Sequence, residues 1–258
     1  MTSDLEEYSQ AFYYLLAAVY KMNKLKLNGE KTKKLMISGK KNPISIITEK
    51  DETIECDKQI KILGWWSNQA NTMETHFFRI KSAVHHSAYL LKPALKHLNL
   101  NQRKEVVNAK ILSKLSYGLA LYIGQSEQVK SKLFALIMFC YRLMYAKNTY
   151  MMRNSKICDE LGVDYPDQLL IKSALSFTHK ICLLKRPADL TALFRSQRLS
   201  RRETRISMVY IPRTQKFQRI FINKAIELFN KLDTKFRNLS VKNFKILIAK
   251  HTINFDPG

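Results

Sequence analysis

The chain has 258 residues, 46% of them hydrophobic, and carries 44 Lys and Arg against 21 Asp and Glu, a formal net charge of +23 with a pI near 9.9. So much apolar material excludes a wholly disordered chain, and the charge points to a polyanionic partner, with nucleic acid ahead of a membrane surface. The apolar run 133–141 stops at Arg142, short of the roughly 20 residues that a bilayer-crossing helix needs, and the acidic start 1–7 lacks the basic region of a secretory signal. An intracellular protein, nuclear or cytoplasmic and without membrane, is therefore expected.

Leu5, Tyr8, Phe12, Leu15, Leu16, Val19 and Met22 recur every three or four residues and predict one apolar face of a helix over 5–23, ending before Leu27-Asn28-Gly29. Short β-branched runs follow at 35–37, 44–47, 53–55 and 60–63, punctuated by Ser-Gly, Asn-Pro and acidic residues. They predict three or four short strands in hairpins. From Met73 the period becomes helical. Met73, Phe77, Ile80, Val84 and Leu91 form a stripe closed by Pro93; Val106, Ala109, Leu112 and Leu119 form a second closed by Gly124; Val129, Leu133, Leu136, Met138 and Leu143 form a third opened by Ser126. Short links between them predict an antiparallel three-helix bundle over 71–150.

In the remainder, 151–258, Pro166 opens a helix through Leu169, Leu170, Leu175 and Ile181 that Pro187 interrupts. Arg195, Arg198, Arg201, Arg202, Arg205, Arg213, Lys216 and Arg219 then stand against the single acid Glu203, which predicts a basic loop or extended piece. Two terminal helices are predicted, one on Phe217, Ile220, Phe221, Ala225, Leu228 and Phe229, the other on Val241, Phe244 and Ile248.

The chemistry-bearing residues form no complete catalytic constellation. Cysteines 56, 140, 158 and 182 make no C-x-x-C and read as free thiols of a reducing compartment. His76, His85 and His86 share a helical region, but their spacing brings no two ligands onto one face as i, i+4 does, so no metal and no cofactor is predicted. A Gly-rich phosphate loop, a G-x-S-x-G and a Cys/His pair at nucleophile spacing are all missing from the sequence. The acid clusters Asp4/Glu6/Glu7, Asp51/Glu52, Asp159/Glu160 and Asp164/Asp167 read as solvated surface carboxylates. The segment 195–219, with Tyr210 among its arginines, has the composition that neutralises phosphates and stacks on bases. Tyr13, Tyr14, Tyr141 and Tyr145 read as packing residues. The adjacent indoles Trp65 and Trp66 point to opposite faces of a strand, which predicts one in a core and one partly exposed.

Several stretches resemble the reverse transcriptases of non-LTR (LINE-type) retrotransposons. Leu25-Lys26-Leu27-Asn28-Gly29-Glu30-Lys31-Thr32 resembles the family's "L-x-L-N-x-x-K-T" turn, and Lys61-Ile62-Leu63-Gly64 its "hydrophobic-Leu-Gly" hairpin. Residues 73–80, with His76 and Ile80, resemble the start of the thumb. Leu115-Ser116-Tyr117-Gly118 resembles the "L-x-Y-G" helix end, and the helix bearing Arg142 the "Q-x-x-x-hydrophobic-R" helix. The stretch 221–245 looks like the closing "LWNxLP…FK" pattern, with Asp233 in place of its proline; Trp65-Trp66-Ser67-Asn68 departs from the apolar strand that usually follows Leu-Gly.

The resemblance implies an α+β, predominantly helical fold: a partial palm over 1–70, a thumb-like bundle over 71–150 and a basic helical region over 151–258. Lys31 matches a lysine near the departing pyrophosphate, and Leu63 and Gly64 match the hairpin that grips the primer end; Gly64 also reads simply as a bulge or turn residue. Nucleotidyl transfer needs two Mg²⁺ held by carboxylates. In the family these come from an Asp motif and a Tyr-x-Asp-Asp that precede the position matched by Met1, and no Tyr-x-Asp-Asp occurs in this chain. The expectation is a fragment that binds template-primer RNA and/or DNA through Lys31, Leu63, Gly64 and the arginine segment, without polymerising alone. An unrelated basic helical nucleic-acid-binding module and a relic without selected activity are the alternatives.

Overall fold

The computed structural model describes residues 2–25, 28, 31–36, 46–47, 53–54, 56–70, 72–145, 152–188, 191 and 221–250. They form an α+β, predominantly helical protein that divides into two units, 1–79 and 80–258.

In the first unit, helix α1 (Thr2–Met22) carries Lys21 in its last turn, where it complements the helix dipole. Asn23 closes it by donating from Nδ2 to the Val19 carbonyl at 2.8 Å, and Lys24 follows in the left-handed region at φ 56°. The predicted extent is close, but the buried face differs. Tyr13 and Ala17 are buried, whereas Tyr8, Phe12, Leu15, Val19 and Met22 of the predicted stripe are exposed. The reason is the size of the neighbour: α1 packs on β1 (Ile46–Ile47), which pairs antiparallel with β2 (Thr53–Ile54), and two-residue strands cover only a narrow strip of a helix. Leu35 and Met36, predicted as strand, are not in one; Lys34 instead makes an isolated parallel bridge to Cys56.

Strands β3 (Gln59–Ile62) and β4 (Trp65–Asn68) form an antiparallel hairpin, pairing Gln59 with Asn68, Lys61 with Trp66 and Ile62 with Trp65. Of the two indoles, expected as one in a core and one partly exposed, neither is fully buried: both are half-buried. Helix α2 (Glu74–Leu95) starts in this unit and continues into the second, with Pro93 inside its last turn rather than at its end.

The second unit opens on α3 (Leu100–Val107), whose capping box is complete: Asn99 Oδ1 accepts the Gln102 N–H at 3.0 Å, and Gln102 Oε1 accepts the Asn99 N–H at 3.1 Å. A π-helical turn at 108–112 and the short α4 (Ser113–Ser116) continue it, Gly118 at φ 72° breaks it, and a 3₁₀ segment runs from Leu119 to Gly124. The predicted single helix through to Gly124 therefore ends early, and its buried face is Val107, Ile111, Leu115 and Leu119 instead of Val106, Ala109 and Leu112. These four recur every four residues. On an α-helix of 3.6 residues per turn such a row drifts by roughly 40° per step, and the wider π turn offsets that drift.

Helix α5 (Glu127–Tyr145) buries Leu133, Ile137 and Met144 and packs on α3 and on α6 (Asn154–Leu161). Gly162, left-handed at φ 60°, ends α6. Helix α7 (Pro166–Leu184) begins on its proline as expected and ends at Lys185, also left-handed. It meets the 3₁₀ segment and two later helices, α8 (Phe221–Asn230) and α10 (Val241–Lys250), which the short α9 (Thr234–Arg237) separates. Leu175, Phe229, Phe244 and Ile248 make one apolar cluster, and Ile181, Ala225 and Ile226 another. His179 stacks flat on Phe244, with ring centroids 3.8 Å apart. Arg237 donates to the carbonyls of Asn230 and Leu232 at the end of α8.

Asp159, Glu160 and Asp167 are exposed, as expected of surface carboxylates, while Asp164 is half-buried. Asp164 accepts from the buried Lys172 Nζ at 2.5 Å, Asp159 from the Tyr165 hydroxyl at 3.1 Å, and Glu160 from the Tyr145 hydroxyl. Lys172 also donates to the Ala249 carbonyl at 3.3 Å and so ties α10 to α7. Cysteines 56, 140, 158 and 182 are free, and burial pushes the Cys140 thiol up to about 12 and those of Cys158 and Cys182 to about 11. Cys140 and Cys158 are buried in the core, and Cys182 is half-buried.

Candidate nucleic-acid interface

The turn around Asn28 is held by its own polar atoms. Asn28 Oδ1 accepts the Lys31 N–H at 3.1 Å, and its carbonyl accepts both the N–H and the hydroxyl of Thr32, at 3.0 and 2.7 Å. This gives the spacing N-x-x-K-T a local meaning: asparagine and threonine fold the backbone, and the Lys31 side chain stands exposed. The segment then runs to the Lys34–Cys56 bridge, where the Asp57 N–H donates to the Lys34 carbonyl at 2.8 Å. Lys33 meets Asp57 at 3.4 Å on the surface, a pair that contributes about 1 kcal/mol or less.

From Asp57 the chain enters the β3–β4 hairpin, whose two-residue turn is Leu63-Gly64. Both residues have positive φ, 49° and 91°, the condition of a type I′ turn. Glycine accepts that conformation freely. Leucine does not: the left-handed region costs a residue bearing a Cβ about 1 kcal/mol or more, and Leu63 is also 90% exposed. The turn reading of Gly64 holds, and the hairpin presents an apolar tip beside the exposed Lys61.

Behind the tip the hairpin is fastened to the start of α2. Asn68 donates from Nδ2 to the hydroxyls of Thr72 and Thr75, both at 2.9 Å, and accepts the Thr72 N–H. The Trp66 N–H donates to His76 Nδ1 at 3.3 Å, and the His76 ring lies on Trp65 at 3.7 Å. With Nδ1 accepting, the proton sits on Nε2, which is buried and has no hydrogen-bond partner among the described residues. Burial pushes the His76 pKa down to about 4, so the ring is neutral at physiological pH. On the other side of the strand, the Arg79 guanidinium lies 4.7 Å from the Trp66 ring centre, and Lys61 Nζ lies 6.0 Å from it.

Lys31, Leu63 and Gly64 thus stand exposed on one unit, with the turn and the hairpin linked through the bridge at Cys56. Arg195, Arg198, Arg201, Arg202, Arg205 and Arg213 lie outside the described residues. Residue reasoning missed the Lys61–Trp66–Arg79 stack. Part of it was available, because a two-residue turn at 63–64 pairs position 61 with 66; Arg79, on a helix, was not. Among the described residues no group of three or more His, Cys, Asp or Glu could hold a metal ion, and no helix is long and apolar enough to cross a membrane.

No family model, curated protein or solved structure matches this chain, so the likeness to LINE-type reverse transcriptases rests on the quoted motifs.

Proposed function

We propose that the chain is a nucleic-acid-binding piece of a LINE-type reverse transcriptase, gripping template-primer RNA and DNA through the β3–β4 hairpin and the Asn28 turn without polymerising by itself. The observation that carries this reading is the hairpin tip: an exposed leucine held in a costly conformation, next to Lys58, Lys61 and a half-buried tryptophan flanked by cations, on a chain of net charge +23. A stiff hairpin lets backbone and lysines approach phosphates closely, and each neutralised phosphate releases counterions. The arginine-rich segment 195–213 supplies the remaining contacts in this reading.

Fluorescence anisotropy with a labelled RNA–DNA hybrid tests it. Affinity is expected to fall steeply as salt rises, and a Lys58→Ala/Lys61→Ala variant should lower the log–log salt slope by about one to two. Binding that is absent, or indifferent to salt, overturns the reading. With Mg²⁺, an RNA template, a DNA primer and dNTPs no extension is expected, and robust extension would refute the non-polymerising part.

A further inference from the structure

Beside the π turn of the second unit lies a cavity of about 680 Å³, inside the roughly 300–1,000 Å³ range of small-molecule sites. Leu112, Leu115, Leu119 and Ile137 give it an apolar wall, and Asn108, Asp164 and Lys172 bring polar groups to it. Gly162 lines it too: a Cβ added there would meet no heavy atom within 4 Å, so the space beside this backbone is open. We propose that the cavity binds an uncharged, nucleobase-like heterocycle through an edge on which an N–H stands beside a C=O, as in uracil, thymine, hypoxanthine and guanine.

Charge sets the first condition. Lys172, only 7% exposed, donates to Asp164 Oδ1 at 2.5 Å, so the polar end of the cavity is an ion pair that is neutral as a whole. An anion would compete with Asp164 and a cation with Lys172, each leaving a charge without its partner in a place poorly reached by water. A neutral ligand keeps the pair intact.

Hydrogen-bonding capacity sets the second. The Lys172 ammonium has three N–H groups, of which Asp164 Oδ1 and the Ala249 carbonyl take two. Asp164 Oδ2 accepts nothing from the described residues. One donor and one acceptor therefore remain within a single ion pair, and a lactam edge is their complement: its C=O accepts from Lys172 while its N–H donates to Asp164. The Tyr141 hydroxyl, donating to the Asp164 carbonyl at 3.1 Å, holds the acid's backbone in place. Shape sets the third. A flat ring has apolar faces for the leucine and isoleucine wall, and both ends of the π turn, Asn108 and Leu112, line the cavity. The extra residue widens the helix there, a distortion that recurs at binding sites.

The inference stands independently of the hairpin reading and is tested by isothermal titration of the full chain with uridine and inosine. At least one should bind with a Kd of about 1 mM or below. 3-Methyluridine, whose N–H is replaced by a methyl group, should bind about tenfold or more weakly than uridine. Leu112→Trp, at a half-buried position on the cavity wall, should leave helicity by circular dichroism unchanged and abolish binding; Asp164→Ala should abolish the preference for uridine over its methylated analogue. The Lys58→Ala/Lys61→Ala variant should bind uridine as the wild type does. Absence of binding by both nucleosides at about 5 mM overturns the proposal, as does equal binding of 3-methyluridine or a folded Leu112→Trp variant of undiminished affinity. A short oligouridylate at about 0.5 M salt, where phosphate contacts are weak, separates the two sources of such an edge. Its loss with Leu112→Trp assigns the cavity to an unpaired base of a strand, and loss of uridine alone assigns it to a free base.

Discussion

Helices α1 and α7 are nearly equal in length, 21 and 19 residues, and both repeat apolar residues at helical spacing, yet they meet opposite fates. Helix α7 buries Leu170, Ala174, Leu175, Thr178 and Ile181 against the 3₁₀ segment, α8 and α10. Helix α1 buries only Tyr13 and Ala17 among its residues of described burial and leaves its longest apolar row in solvent. Propensity does not separate them; the neighbours do. Periodicity fixes which residues share a face, and whether that face is covered depends on how much surface the rest of the fold offers.

The sharpest way to break the contrast is to cut one leucine from each helix. Leu175→Ala removes a fully buried side chain and should lower unfolding stability by about 2–5 kcal/mol in a urea titration. Leu15→Ala, at an exposed position, should stay within about 0.5 kcal/mol of wild type. Equal losses would show that the α1 face is covered in solution.

Acid sensitivity comes next in size and sharpens the comparison through the two buried histidines, His76 beside the hairpin and His179 on α7. Unfolded, His76 takes a proton near pH 6.5; folded, it resists until about pH 4. Above pH 6.5 it is neutral in both states and its contribution is fully present. Between pH 6.5 and 4 the unfolded chain binds a proton that the folded chain does not, so stability falls as pH falls, by on the order of 1–3 kcal/mol in all, and the loss levels off below pH 4. Burial lowers the His179 pKa too, although backbone groups of Arg237 and Leu239 oppose it in part. His76→Gln, which keeps an acceptor for the Trp66 N–H, should therefore flatten part of the slope and not all of it. An unchanged slope would mean that His76 is accessible to protons in the folded state.

The smallest effect concerns the hairpin tip. Leu63→Asn suits the left-handed turn and should raise stability by up to about 1 kcal/mol while weakening hybrid binding. A variant that is both more stable and equally tight would remove Leu63 from the proposed interface.

How much of this could be read from the residues depends on the range of the interactions. Pro166 at the start of α7 and glycine at the hairpin turn act through their own backbone, and both were legible. The α+β, mainly helical class followed from the change of period near Met73. The buried side of α1 was not legible, since it is set by a two-residue strand more than twenty residues away. The face of the 100–119 stretch was misjudged by about one position because a row with period four was read with an α-helical period. At the hairpin, the pairing of Lys61 with Trp66 follows from turn length, but the Arg79 guanidinium arrives from a separate element.

The π turn at 108–112 gives this stretch an unusual relation to its own length. Removing a single residue there would regularise the hydrogen-bond ladder and leave Val107 and Leu115 two α-helical turns apart, so that Leu115 keeps nearly the side on which Val107 is anchored. Most helices absorb a lost or gained residue at a frayed end. Here the slack sits in the middle, so the loss of one codon in this window should be milder than the same loss in the regular helix on either side.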